Sequence, residues 1–60
     1  ARSLFVVEDI KAGEIFNGKN IRSIRPSNGL PPKYLIDILG KKAKFDIKRG
    51  TPLSWEMIEQ

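Results

Sequence analysis

The chain has 60 residues and a formal net charge of +4 at pH 7, and it contains neither cysteine nor histidine. A chain of this length forms one small domain at most, because it buries only about 60% of the surface that its unfolded form exposes. The absence of both residue types excludes disulfides, zinc sites of the Cys/His kind and histidine-based catalysis. The acidic residues are scattered without calcium-loop spacing, so we predict no metal site. The longest apolar run, at residues 4–7, is far too short to span a bilayer.

The first third of the chain predicts short strands joined by turns. Residues 3–7 are β-branched and aromatic, which is typical of a buried strand. The spacing of Asp9 and Gly13 indicates a turn, since Asp bonds the backbone ahead of it and Gly accepts a positive φ. Residues 14–16 follow as a second short strand, and Asn17 can cap a single helical turn after it.

The middle of the chain begins with a basic strand. Residues 21–25 predict a strand with a bend, which Pro26 ends because proline cannot donate to a ladder. A turn at residues 27–29 then precedes Pro31 and Pro32, either of which can begin a helix.

The strongest helix prediction covers residues 33–39, and Gly40 ends it. This helix would place three apolar side chains on one face: Leu35, Ile38 and Leu39. Residues 42–45 alternate as a strand, with Ala43 and Phe45 pointing inward.

Residues 9–21 and 46–58 are two copies of one pattern, offset by 37 residues (46 − 9), with five of thirteen positions identical. Such a duplication is informative about architecture, and two copies are too few for a solenoid. We therefore predict a compact fold with a pseudo-twofold axis. Its shared core would be formed by Ile10, Phe16, Ile21, Ile47, Leu53 and Ile58.

The duplicated Asp-Ile-Lys-x-Gly pattern allows two interpretations. Asp9 and Asp46 could form a paired acid site, or each could be a turn residue. An Asp and a Gly at this fixed spacing are what a turn requires. We therefore favour the structural interpretation.

Arg22 and Arg25 are the candidate binding residues of the chain. Both could simply be solvated strand positions, but a guanidinium offers a rigid fork of donors to an anion or a polar substrate. Arg25 stands directly before Pro26 and the turn, at a strand end where functional side chains tend to lie. We therefore place Arg25 first and Arg22 second.

Other basic and aromatic residues favour structural roles. Five basic residues are close together in the second half of the chain: Lys41, Lys42, Lys44, Lys48 and Arg49. Only Phe45 lies among them and no helix has a basic face, so a solvated surface is favoured over a nucleic-acid site. Tyr34 and Trp55 are predicted to be packing residues in so small a core.

Three segments carry a family resemblance: residues 3–14, 20–30 and 38–43. They resemble the C-terminal antifreeze-like (SAF) domain of bacterial sialic acid synthases. Within that family the chain is most similar to pseudaminic acid synthases. The motifs that indicate this subgroup are Ser-Leu-Phe-Val-Val-Glu-Asp-Ile, Gly-Leu-x-Pro-Lys-Tyr-Leu and Gly-Thr-Pro-Leu-Ser-Trp.

The resemblance implies a mainly β fold with short helical turns, the compact β-clip or pretzel of this family, with internal pseudo-twofold symmetry. It implies that residues 1–60 form one antifreeze-like domain, cut from the C-terminus of a larger synthase. The parent enzymes are cytoplasmic homodimers that condense phosphoenolpyruvate with an N-acetylated sugar in an N-terminal TIM barrel. That barrel holds a divalent metal, Mn or Mg. The isolated domain is therefore expected to have no catalytic residue and no cofactor, and to bind neither nucleic acid nor membrane.

The resemblance also implies a role for one arginine. In the family the antifreeze-like domain reaches over the barrel of the other subunit, and one of its arginines binds the N-acetyl region of the sugar. The Ile-Arg-Pro-x-x-Gly stretch matches that arginine to Arg25, with Arg22 as the second candidate.

A second relative of the fold is the type III antifreeze protein of fish, so the alternative is a stand-alone module that binds ice or an anionic surface. Aligning the first repeat places a mostly charged set on the ice-binding face: Glu8, Asp9, Lys11, Glu14, Asn17, Gly18, Lys19 and Asn20. Because charged, flexible side chains hold their own hydration, we expect no strong antifreeze activity.

Overall fold

The computed structural model describes residues 1–60, and most of the chain consists of short strands, single β-bridges and turns. The regular elements, in chain order, are β1 Ser3–Val6, β2 Ile21–Ile24, a first 3₁₀ turn Pro32–Tyr34, α1 Leu35–Ile38 and a second 3₁₀ turn Trp55–Met57. The mainly β architecture with short helical turns is therefore confirmed. None of the helices has the length and apolar character that a membrane crossing requires.

The strands β1 and β2 pair antiparallel, with Ser3 opposite Ile24 and Val6 opposite Ile21. All four residues of β1 are buried, because both of its faces are covered. Leu4 and Val6 belong to the main core. Alternation turns the Phe5 side chain to the other face, and the Phe5 backbone forms a β-bridge with Pro52.

The two copies of the repeat meet at one central β-bridge. The Ile10 N–H donates to the Ile47 carbonyl, and the Ile47 N–H donates to the Ile10 carbonyl, both at 2.8 Å. Ile47 is the counterpart of Ile10 at the offset of 37 residues, so this reciprocal pair lies on the pseudo-twofold axis.

Matching hydrogen bonds repeat the same relation further from the axis. The Gly13 N–H donates to the Ala43 carbonyl, and its counterpart Gly50 donates to the Val6 carbonyl. Both glycines have a positive φ, as the predicted turn requires. Each half thus lends backbone acceptors to the other, and the predicted pseudo-twofold fold is confirmed.

The predicted shared core is confirmed completely. All six residues are at most 5% exposed, and they belong to one cluster of ten. The other four members are Leu4, Val6, Ile38 and Ala43. A core built from equivalent positions of two copies has no separable half, so neither copy can bury its apolar residues alone.

The predicted inward orientation of two side chains, Leu39 and Phe45, is wrong. Leu39 is 40% exposed, because α1 ends at Ile38 and Leu39 already has an extended ψ of 128°. Phe45 is 45% exposed, because the chain bends directly after the bridge at Ala43 and the alternation stops there. Gly40 follows the helix with a positive φ, as predicted.

The segment after Gly13 is less regular than predicted. The expected strand at residues 14–16 is a single bridge between Ile15 and Lys42. Asn17 caps a single turn as predicted: its Oδ1 accepts from the Lys19 and Asn20 N–H groups, and its carbonyl accepts from the Ile21 N–H four residues on, as in one turn of helix.

Candidate functional site

The two candidate arginines are both exposed, but they lie in different settings. Arg22 is inside β2, directly opposite Phe5 in the ladder. Arg25 follows the last residue of β2 and is joined to Pro26 by a cis peptide bond. Arg25 is therefore the first residue of a connection, residues 25–30, that we call the arginine loop.

The far end of the arginine loop is held by β1 and by the second copy of the repeat. The Leu30 N–H donates to the Leu53 carbonyl at 3.0 Å, and the Leu30 carbonyl accepts from the Leu4 N–H at 2.9 Å. Leu4 lies in β1, and Leu53 lies in the second copy of the repeat. The end of the loop is thus fixed to the rigid part of the domain.

The middle of the arginine loop packs directly on backbone at Gly29. A Cβ built at this position would overlap the Leu4 carbonyl oxygen and lie 3.1 Å from the Leu53 nitrogen. The close approach therefore requires glycine, since any side chain must displace one of these segments.

The start of the arginine loop is held by the hydroxyl of Ser3. Ser3 is 1% exposed, donates to the Pro26 carbonyl at 2.6 Å and accepts from the Gly29 N–H at 2.9 Å. Ser3 was not predicted as a site residue, because it begins a motif that indicates the family but assigns the serine no role. Its only signal was its position in front of an apolar strand, where a buried hydroxyl needs partners.

The guanidinium of Arg25 takes part in none of the side-chain hydrogen bonds in the structure, which leaves its donors available. A free guanidinium can donate two parallel bonds to a carboxylate or phosphate, or single bonds to a carbonyl. It lies outside the one pocket of the structure, so a ligand held by Arg25 would need a second surface to enclose it.

A small aromatic cluster forms around the first 3₁₀ turn. The rings of Tyr34 and Trp55 meet edge to face with centroids 5.2 Å apart, and the Lys33 Nζ lies 5.3 Å from the Tyr34 centroid. Tyr34 packs against the core, as predicted. Trp55 packs on Tyr34 but remains 39% exposed.

The paired aspartates have reciprocal structural roles. The Asp9 Oδ1 accepts from the Arg49 N–H, and the Asp46 Oδ1 accepts from the Ala12 N–H, both at 2.8 Å. Each carboxylate therefore holds the turn of the other copy, so the structural interpretation is confirmed, but the predicted bond to the backbone directly ahead is wrong. No group of three or more acidic side chains lies close enough together to hold a metal ion.

Replacing Asp9 or Asp46 with alanine is expected to lower the free energy of unfolding by about 1 kcal/mol in each case, the usual cost of losing such a cap. The two losses should be similar, because the two bonds are related by the pseudo-twofold axis. Asparagine keeps the Oδ1 acceptor and should cost less than alanine. Urea unfolding of the four variants measures these differences, and alanine variants as stable as the unmodified chain would contradict the capping role.

Comparison with known proteins gives the family directly. The SAF domain family model matches residues 1–59. Pseudaminic acid synthase of Campylobacter jejuni is 55% identical over 53 residues, which cover 88% of this chain and 16% of that protein. Pseudaminic acid synthase of Helicobacter pylori is 50% identical over 60 residues, which cover the whole chain and 18% of that protein. The chain thus spans less than a fifth of the length of these curated relatives.

Solved structures share the fold. The spore coat polysaccharide biosynthesis protein SpsE of Bacillus subtilis superposes with a TM-score of 0.91 at 32% identity, over 98% of this chain and 18% of that one. The antifreeze protein like domain of human N-acetylneuraminic acid phosphate synthase superposes with a TM-score of 0.89 at 19% identity, over 97% of this chain and 75% of that one. The resemblance found in the sequence is confirmed. Because the family model covers nearly every residue, the chain belongs to the SAF domain family and has its antifreeze-like fold.

Proposed function

We propose that this SAF domain is the substrate-capping part of a sialic-type (nonulosonic) acid synthase and that Arg25 contributes to the sugar site of the partner subunit. The parent enzyme would be a cytoplasmic homodimer that condenses phosphoenolpyruvate with an N-acetylated sugar. Pseudaminic acid is the favoured product class, since relatives that are 50–55% identical are pseudaminic acid synthases.

One observation carries the proposal: a free guanidinium stands at the start of a loop that is held at three of its other positions. Ser3 bonds to Pro26 and Gly29, Gly29 packs on backbone, and Leu30 bonds to β1 and to the second copy of the repeat. Because much of the loop backbone is already ordered, binding costs mainly the rotamer freedom of the Arg25 side chain. Since Arg25 lies outside the pocket of the structure, the second surface that encloses the sugar would come from the barrel of the partner subunit.

The role of Arg25 in the reaction would be binding and orientation. Its guanidinium would donate charge-assisted hydrogen bonds to the carbonyl of the N-acetyl group. The domain would also keep water from the sugar by covering the mouth of the barrel. The divalent metal of the parent reaction, Mn or Mg, has no suitable donor set in this chain, because no three acidic side chains lie together. We therefore assign the metal to the barrel, and we assign it no part in what this domain does.

Arg25→Ala in the full-length synthase is expected to lower kcat/KM for the sugar by about tenfold to a hundredfold, because a charged donor is lost from a partly desolvated site. The melting temperature should hardly change, since the Arg25 side chain makes no hydrogen bond within the domain. Steady-state kinetics with the sugar as the varied substrate measure this loss.

Arg49→Ala is the matched control, because Arg49 is an exposed arginine in the second copy whose backbone, not side chain, makes its hydrogen bond. It should leave kcat/KM unchanged. Arg22→Ala tests the second candidate, and a loss there with Arg25→Ala unchanged would transfer the role to Arg22. Unchanged kinetics in both variants would reject the proposed function.

A further inference from the structure

We propose that Ser3 is the positioning residue for Arg25: its buried hydroxyl sets the place and direction from which the arginine reaches the substrate. The inference rests on the proposed function of Arg25. Its basis is local geometry, since Ser3 determines the backbone on both sides of that arginine.

The residues directly before and after Arg25 in the chain are both paired with Ser3. Ile24, the residue before it, is the ladder partner of Ser3 in the antiparallel pair. Pro26, the residue after it, gives its carbonyl to the Ser3 hydroxyl at 2.6 Å. The backbone that carries Arg25 therefore passes between two positions that the same serine holds.

The same hydroxyl also closes the turn of the arginine loop. It accepts from the Gly29 N–H at 2.9 Å while it donates to the Pro26 carbonyl, so one oxygen joins both ends of the turn. These are the only side-chain hydrogen bonds made to residues 25–30. Leu30 is held by backbone bonds, but those lie at the far end of the loop from Arg25.

The burial of Ser3 makes the hydroxyl difficult to replace. At 1% exposure, water cannot take its place without movement of the loop. Alanine would fit the space but leave the part-buried Pro26 carbonyl and Gly29 N–H without this partner, and losing a part-buried hydrogen bond is costly. We expect the loop to relax toward solvent, which moves the Arg25 guanidinium away from its working position.

The test is a double-mutant cycle in the full-length synthase with Ser3→Ala, Arg25→Ala and the double variant. Ser3→Ala alone is expected to lower kcat/KM for the sugar on the order of tenfold, mainly through KM. In the Arg25→Ala background the same change should have almost no further effect, because no guanidinium remains to be positioned. If Ser3 had only a structural role, Ser3→Ala would lower kcat/KM by the same factor in both backgrounds.

Ser54→Ala is the matched control, since the Ser54 Oγ is also buried but has no hydrogen-bond partner. It should leave kcat/KM unchanged. If Ser3→Ala does not fold, Ser3→Cys keeps the shape with a much weaker donor and acceptor and takes its place in the cycle.

The possible outcomes separate the two proposals. The positioning role alone is overturned if Arg25→Ala is impaired but Ser3→Ala lowers kcat/KM by the same factor in both backgrounds. It is likewise overturned if Arg25→Ala is impaired and Ser3→Ala causes no loss. Unimpaired Arg25→Ala overturns the proposed function of Arg25, and the positioning role with it. Only a loss that vanishes in the Arg25→Ala background supports the assignment of Ser3.

Discussion

Replacing Gly29 with alanine is expected to lower the free energy of unfolding by about 3 kcal/mol, at the upper end of what overpacking costs. The added Cβ would overlap the Leu4 carbonyl oxygen, which already accepts from the Leu53 N–H at 3.0 Å. Neither neighbour is a flexible side-chain end, so the clash is relieved only if backbone moves. Either the arginine loop lifts, or the bond between Leu4 and Leu53 breaks.

The size of the domain makes this loss severe. A domain of this length has a small core and a correspondingly small margin of stability. A loss of about 3 kcal/mol corresponds to a fall in melting temperature of roughly 15 °C for a chain of 60–100 residues. Thermal and urea unfolding of the 60-residue chain, followed by circular dichroism, measure the change.

Gly18→Ala is the matched control for Gly29→Ala. A Cβ at Gly18 meets no atom within 4 Å, and the φ of Gly18 is outside the left-handed region. This variant should be within about 1 kcal/mol of the unmodified chain and on the stabilising side, because alanine restricts the unfolded state. Equal stabilities of the Gly29 and Gly18 variants would show that the arginine loop does not pack on Leu4 as described.

The core was predictable because the duplication gave two equivalent positions for each of these core residues. Each predicted core position in residues 9–21 has an apolar counterpart in residues 46–58, so a residue such as Phe16 was supported by Leu53 as well as by its own surroundings. Both are 1% exposed or less. That Asp9 and Asp46 are structural was predictable for the same reason, but their partners were not, since each was expected to bond the backbone directly ahead of it and each instead accepts from the other copy.

The errors fall where a local pattern had no second copy to test it. Leu39 shares a helical spacing with Leu35, but a helix of four residues ends before that spacing applies. Phe45 shares an alternation with Ala43, but a bend follows a single bridge. Tertiary contacts decide such short elements, and periodicity over a few residues does not reveal them.

The site was only half predictable. Arg25 became the first candidate because it stands at a strand end before a proline and a turn, and because the family resemblance matched it. The contribution of Ser3 depends on a contact 23 residues away along the chain, between its hydroxyl and the Pro26 carbonyl. Gly29 was expected as a turn residue, but its necessity comes from the Leu4 backbone, which only the folded chain brings close.

The central claim is that Arg25 works in the active site of the partner subunit, and a mixed dimer tests it most directly. One subunit would carry Arg25→Ala with an intact barrel, and the other an intact Arg25 with a barrel inactivated by mutation. Two different tags allow the mixed dimer to be isolated from both homodimers. Its single complete site would combine the intact barrel of one subunit with the arginine of the other.

If Arg25 works in the site of the partner subunit, this mixed dimer should have about half the activity of the unmodified dimer, because one of its two symmetric sites is complete. Each homodimer, measured in the same way, should be strongly impaired. A mixed dimer no more active than the Arg25→Ala homodimer would contradict the account, since it would mean that Arg25 serves its own subunit or does not contribute to the site at all.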